Sequence, residues 1–222
     1  MLNLIVVILL SYIAGSIPNS IIVSRLVKGI DIRNHGSGNA GGTNVFRVLG
    51  WRWGLLTIGL DAFKGAVAVI FIARLYLGNF PFSNPTPFDD FTLIQIFCGI
   101  AAVIGHIWTV FAEFKGGKGI ATALGFLLTM ITVDMLVAVG IFAIVVYVSR
   151  YISLGSIIAA ISVPLILIIR ENIFGVDIPG YGTILPFVIA LSLLVVYTHR
   201  ANIDRLIKGS ERRLSFSKKE KV

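Results

Sequence analysis

Apolar residues in this chain fall into long, nearly uninterrupted runs separated by short polar connectors. A hydrocarbon core of about 30 Å takes roughly 20 residues of helix to cross. Asn3 to Ser24, Trp53 to Leu77, Phe91 to Phe111 and Tyr181 to Thr198 each meet that length, and Tyr151 to Ile169 is a fifth span. Ile120 to Ser149 is apolar almost throughout. As one helix it would run about 45 Å at 1.5 Å per residue, too long for one crossing without steep tilt.

The connectors settle how often that segment crosses. Arg25, Lys28, Arg33, Arg47 and Arg52 follow the first span, and Arg200, Arg205, Lys208, Arg212, Arg213, Lys218, Lys219 and Lys221 follow the last. Clustered cations mark the cytoplasmic side. Gly78 to Asp90 carries Asp89 and Asp90 without a cation, and Glu171 to Gly180 carries Glu171 and Asp177, so both face outward. For the tail to return inside, Ile120 to Ser149 must cross an even number of times, and two short spans hinged near Thr132 to Asp134 fit. The prediction is an all-α polytopic membrane protein of seven transmembrane helices, N-terminus outside and C-terminus cytoplasmic. It reads as a single integral-membrane domain over residues 1–222, with a basic cytoplasmic tail from about 212.

Composition agrees: 56% of the 222 residues are hydrophobic and 14% charged, outside soluble usage. Met1 to Leu10 has no Lys or Arg, so it reads as a retained first helix rather than a secretory signal. Cys98 has no partner in the chain, which excludes an intramolecular disulfide. A net charge of +8 would suit nucleic acid, but the cations flank membrane spans, so no nucleic-acid partner is expected.

The same parity gathers three polar segments on one face: His35 to Arg52, Glu113 to Thr122 and His199 to Arg213. In "HGSGNAGGTNVFRVLGW", Gly36, Gly38, Gly41 and Gly42 let the backbone approach a ligand closely. Ser37, Asn39, Thr43 and Asn44 add short polar groups, and Arg47 a planar fork suited to phosphate. "FKGGKGIAT" sets Lys115 and Lys118 among Gly116, Gly117 and Gly119 at the entrance of a helix, where exposed N–H groups favour anions. It is not a Walker A loop, because Ala112 and Gly119 stand where that motif needs Gly and Ser or Thr. "THRANIDRLIKGSE" puts His199, Asn202 and Arg205 on one helix side, and residues from Arg212 onward read as a lipid-facing tail.

Within the spans, Asp61 and Lys64 lie three apart and can pair, either locking helices together or extending the positive field of the site. His106 reads as hydrogen-bonded structure. His199 with Asp204 matches the spacing of a soluble acyltransferase dyad, but five helical residues point the two apart. No Cys/His metal cluster, inward carboxylate pair or Gly-x-Ser-x-Gly elbow is present, so no metal and no cofactor are predicted.

In this order and at comparable separations, "GSGNAGGTNVFR", "LDAFKG", "GHIWTVFAEFKGGKGIAT" and "HRANIDRLIKGSE" resemble the bacterial membrane glycerol-3-phosphate acyltransferase family that uses acyl phosphate as donor. The likeness covers nearly the whole chain; Gly42 departs from it, standing where alanine is common, and the outward loop from Asn79 to Asp90 is long. The resemblance implies seven helices in a bacterial cytoplasmic (inner) membrane, with the active site on the cytoplasmic face. It implies attack of the glycerol 3-phosphate 1-hydroxyl on fatty acyl phosphate, giving 1-acylglycerol 3-phosphate (lysophosphatidate) and phosphate for phospholipid biosynthesis. The enzyme that makes acyl phosphate becomes a candidate partner beside membrane lipids. Carried over position by position, the functional residues are Ser37, Arg47, Lys118, His199 and Asn202. Gly38, Asn39, Thr43, Asn44, Lys115, Gly116, Gly117 and Gly119 are expected to bind substrate. Ser37 is either an acyl-accepting nucleophile or a group that orients the hydroxyl. Two other classes compete: a transporter of a phosphorylated solute, which predicts a midplane site and inverted repeats, and a basic scaffold for anionic lipid, which needs no glycine loops.

Overall fold

The computed structural model describes residues 2–78 and 82–214. Asn79 of the expected outward loop and Lys218, Lys219 and Lys221 of the expected tail lie outside the described residues. The described chain is helical, with no strand. It forms two compact units, Met1–Thr132 and Val133–Val222.

The first unit holds α1 (Leu2–Ser16), α2 (Asn19–Lys28), α3 (Gly42–Leu49), α4 (Trp51–Val67), α5 (Asp90–Ile107) and α6 (Ile120–Leu128). The second is built from α7 (Thr132–Ser149), α8 (Ile152–Asn172), α9 (Tyr181–Thr198) and α10 (Arg200–Ile207). Among the described residues, six helical stretches are long and apolar enough to cross a membrane: Asn3–Lys28, Trp51–Leu75, Asp90–Ala112, Thr132–Ser149, Ile152–Asn172 and Tyr181–Thr198.

Three elements differ from expectation. The first span is not one helix, because Pro18 has no N–H to continue the ladder and α2 starts afresh at Asn19. The segment from Ile120 divides as expected, but earlier than Thr132 to Asp134: α6 ends at Leu128, and Thr132 already opens α7. Hydroxyls turned back on the last carbonyls of α6, Thr129 onto Phe126 (2.6 Å) and Thr132 onto Leu128 (2.8 Å), mark the break. At nine residues α6 rises about 13.5 Å, half the span of its neighbours. Thirdly, the connector from His35 to Trp51 is half helix: Gly42 to Leu49 forms α3, whose Val45 is fully buried with Ile21, Val23 and Ile32.

The first unit is held by backbone contact at glycines. A β-carbon at Gly15 would lie 2.1 Å from the Ala102 carbonyl oxygen and one at Gly105 2.2 Å from that of Tyr12, so α1 and α5 touch main chain to main chain. Gly65 against Thr122 (2.2 Å) and Gly125 against Ala62 (1.8 Å) do the same for α4 and α6. Among apolar tails helices gain little from hiding apolar surface, so close approach and dispersion must hold them. Gly42 belongs to this set: a methyl there would sit 2.4 Å from Ile58 Cγ1 and 3.1 Å from the Ile58 nitrogen. The departure from alanine is thus a packing requirement between α3 and α4. Gly125→Ala is expected to lower stability by about 1–3 kcal/mol through overpacking. Gly140→Ala, with nothing within 4 Å, should leave it unchanged or slightly raised; thermal unfolding in detergent compares them.

Candidate active site

Asp31 begins the first glycine segment. Its carboxylate accepts the Arg33 backbone N–H at 3.0 Å and the Arg33 guanidinium at 2.8 Å, with Arg25 at 3.2 Å. The Arg33 hydrogen bonds hold that carboxyl well below the usual carboxylate range. Arg33 also reaches across to donate to the Ala112 carbonyl at 3.3 Å.

The loop beyond is organised from inside by Asn44, which is 1% exposed. Its amide nitrogen lies 3.1, 2.9 and 3.1 Å from the carbonyls of Ile32, His35 and Asn39, and its Oδ1 accepts the Ser37 N–H at 2.8 Å. Gly36, at φ +61°, must be glycine, since a β-carbon there would lie 2.3 Å from Asn44 Oδ1. Asn44 therefore shapes the loop rather than facing outward as the sequence suggested. Ser37 and Gly38 are left exposed, with Asn39, Thr43 and Arg47 half-buried.

The second glycine segment begins where α5 ends. The last carbonyls of a helix lack partners within it, and here Gly116 N–H donates to Ile107 and Gly117 N–H to His106, each at 3.0 Å. Those two amides were expected to face an anion; the fold spends them on capping α5. Lys118 follows this turn, and α6 is entered through Gly119 at φ +86°. Lys115 is exposed beside Glu113 at 3.7 Å, an exposed pair of little energetic worth. Lys118 is half-buried.

The two segments meet: a β-carbon at Gly117 would lie 3.0 Å from the Ala40 carbonyl oxygen and 2.1 Å from His106 Nε2. Beneath this junction lies a buried polar cluster. Asp61 Oδ1 accepts from Asn19 Nδ2 at 3.0 Å, lies 3.1 Å from Lys64 Nζ and faces His106 Nδ1 at 3.5 Å. Lys64 Nζ donates to the Ile17 carbonyl at 2.8 Å, at the break between α1 and α2. Of the two roles open to Asp61 and Lys64, the geometry favours locking helices together.

In the second unit His199 is 3% exposed and its Nδ1 donates to the Val195 carbonyl at 2.8 Å. Asn202 donates to Glu211 Oε1 at 2.8 Å, as does Ser153 of α8, while Arg205 Nε meets Glu211 Oε2 at 2.7 Å. Asp204 pairs with Lys208 at 2.9 Å, in keeping with no His199–Asp204 dyad. The start of the tail is not simply lipid-facing: Leu214 N–H donates to the Arg150 carbonyl at 2.7 Å and Arg213 to the Tyr151 hydroxyl at 3.0 Å.

A family model described as glycerol-3-phosphate acyltransferase matches residues 5–209. The chain belongs to the glycerol-3-phosphate acyltransferase family. It is similar to proteins of that name from Pelodictyon phaeoclathratiforme (45% identical) and Chlorobaculum tepidum (46%), in each case over 99% of this chain and 100% of the relative. Among solved structures it is similar to PlsY (YgiH), an integral membrane glycerol 3-phosphate acyltransferase, in its glycerol 3-phosphate form. That likeness has a TM-score of 0.78 at 35% identity and covers 96% of both chains. The lysophosphatidic acid form of PlsY gives 0.76 at 34%, over 96% of this chain and 95% of that one.

For this glycerol-3-phosphate acyltransferase family member, sequence reasoning passed over Glu211. The signal available was an acid set within a basic run. Burial alone would push the Glu211 carboxyl up, but hydrogen bonds from Arg205, Asn202 and Ser153 outweigh it and hold the group below its ordinary value. A lowered carboxyl contributes stability above the ordinary carboxylate range and loses it as pH falls through the folded value. Glu211→Gln is expected to destabilise the protein at neutral pH by about 1.5–3 kcal/mol, the worth of charge-assisted hydrogen bonds. Its deficit against the parent should shrink below about pH 4, as read from thermal midpoints across a pH series.

Proposed function

We propose that this chain transfers a fatty acyl group from acyl phosphate to the 1-hydroxyl of glycerol 3-phosphate, at the cytoplasmic face of a bacterial inner membrane. The observation that carries the reading is the meeting of the two glycine segments, each bringing a half-buried cation, Arg47 and Lys118. Both reactants are anionic and repel each other, so compensating their charge and orienting them is the larger share of the work. An acyl phosphate is already activated.

In the proposed step the 1-hydroxyl oxygen forms a bond to the acyl carbonyl carbon and the bond from that carbon to the phosphate oxygen breaks. The hydroxyl proton leaves with phosphate, and the products are 1-acylglycerol 3-phosphate and inorganic phosphate. Arg47 holds the glycerol 3-phosphate anion; His199 and Asn202 are proposed to take part in substrate binding. Lys118 with the start of α6 takes the acyl-phosphate head. Ser37, exposed on the first loop, orients the attacking hydroxyl; the placement of its backbone N–H on Asn44 supports a fixed position for it. The enzyme that makes acyl phosphate is the proposed source of donor. Charge distribution supports seven crossings, α6 being the short one, with the N-terminus outside and the C-terminus inside.

Purified protein given labelled glycerol 3-phosphate and either palmitoyl phosphate or a palmitoyl thioester is expected to form lysophosphatidate from the phosphate donor. A transporter or a lipid scaffold forms no new lipid from either. Arg47→Ala and Lys118→Ala should each lower kcat/KM by about 10- to 100-fold, the worth of one charge-assisted contact; full activity in both would overturn the assignment. For orientation, with Cys98 replaced by serine, Ser83→Cys should react with an impermeant maleimide on intact cells. Lys208→Cys should react only after permeabilisation, and the reverse pattern would overturn the topology.

A further inference from the structure

His106 touches the second glycine segment in two ways. Its backbone carbonyl accepts the Gly117 N–H at 3.0 Å, and its ring edge occupies the place a Gly117 side chain would take, with Nε2 2.1 Å from that position. The opposite ring nitrogen faces Asp61 at 3.5 Å. Asp61 is itself anchored by Asn19 at the start of α2 and by Lys64 one turn along α4, and Lys64 is tied to the Ile17 carbonyl. All three charged or titratable members are nearly inaccessible, at 2% for Asp61, 5% for Lys64 and 7% for His106. The α1–α2 junction, α2 and α4 thus bear through Asp61 on one imidazole of α5, and that imidazole bears on one glycine. Lys118 is the next residue.

We propose that His106 is a positioning residue for Lys118: the Asn19–Asp61–Lys64 cluster fixes the ring, and the ring fixes the height of the Gly116–Gly119 turn against the end of α5. The backbone hydrogen bonds alone allow the turn to rock about its two acceptors, and the ring fills the space into which it would rock. The consequence for catalysis rests on the reading of Lys118 as the group that takes the acyl-phosphate head. The mechanical claim does not, so the two are tested separately.

The mechanical test uses Lys118→Cys with Cys98 replaced by serine. Adding His106→Ala should change the maleimide reaction rate at position 118 by about tenfold or more as the turn gains freedom. An unchanged rate in folded protein overturns the proposal, whatever the enzyme's substrate is. His106→Gln, which retains bulk and a polar end, should restore the parental rate, and His106→Ser, which also removes the ring, replaces the alanine variant if that fails to fold. The catalytic test is a KM split: His106→Ala should raise KM for palmitoyl phosphate about tenfold and leave KM for glycerol 3-phosphate within about twofold. A purely structural residue would lower folded yield and move neither constant.

A size exchange closes the case. Gly117→Ala drives a methyl into the ring and should nearly abolish activity, and His106→Ala in the same chain should restore a measurable part of it by making room. A double variant worse than Gly117→Ala overturns the contact. Should the accessibility change appear while no acyl phosphate is consumed by the parent protein, positioning stands and the functional reading falls.

Discussion

A carboxylate buried among helices must find its compensation inside the protein, and Asp61 is the point at which this fold meets that demand. One oxygen gathers an amide from α2, an ammonium from its own helix and an imidazole from α5. Removing Asp61 would leave the Lys64 ammonium buried without its counter-charge, a loss of a few kcal/mol that exceeds the worth of most single contacts. The cluster thereby ties the break that Pro18 opens between α1 and α2 to the end of α5. Glycine contacts supply close packing; the carboxylate decides which arrangement of closely packed helices is allowed.

How much of this was legible in the residues depends on the physics involved. The approximate limits of the long apolar spans follow from hydropathy, because length against bilayer thickness is a one-dimensional constraint. The division of the segment after Ile120 follows from charge parity, yet its break lies nearer Leu128, where side-chain hydroxyls compete locally with the helix ladder. Pro18 was a readable interruption hidden inside an otherwise convincing apolar run. Helix α3 was obscured by the glycines before it, although Val45 and the residues around it have an apolar stripe of helical spacing.

The site shows the same division. Arg47, Lys118, His199 and Asn202 stand out as residue types in polar segments at helix ends. Which polar groups face inward could not be read, because that depends on what the neighbouring backbone lacks. Asn44 closes the gaps of three carbonyls, and Gly116 and Gly117 close the end of α5. A motif rich in donors is therefore partly a motif of self-satisfaction, with fewer groups left for a ligand than its composition advertises. Glu211 is the converse case: an acid in a basic run that gathers Ser153, Asn202 and Arg205 about itself.

The seat beneath the second glycine segment is made of main-chain oxygens, at His106 and Ile107. Those oxygens survive whatever codon stands at either position, whereas the glycines resting on them tolerate no added carbon. Mutational drift is thus asymmetric across this contact, permissive for the oxygens on the helix side and closed on the turn side, and the imidazole, set between Asp61 and the turn, is what makes position 106 visible to selection.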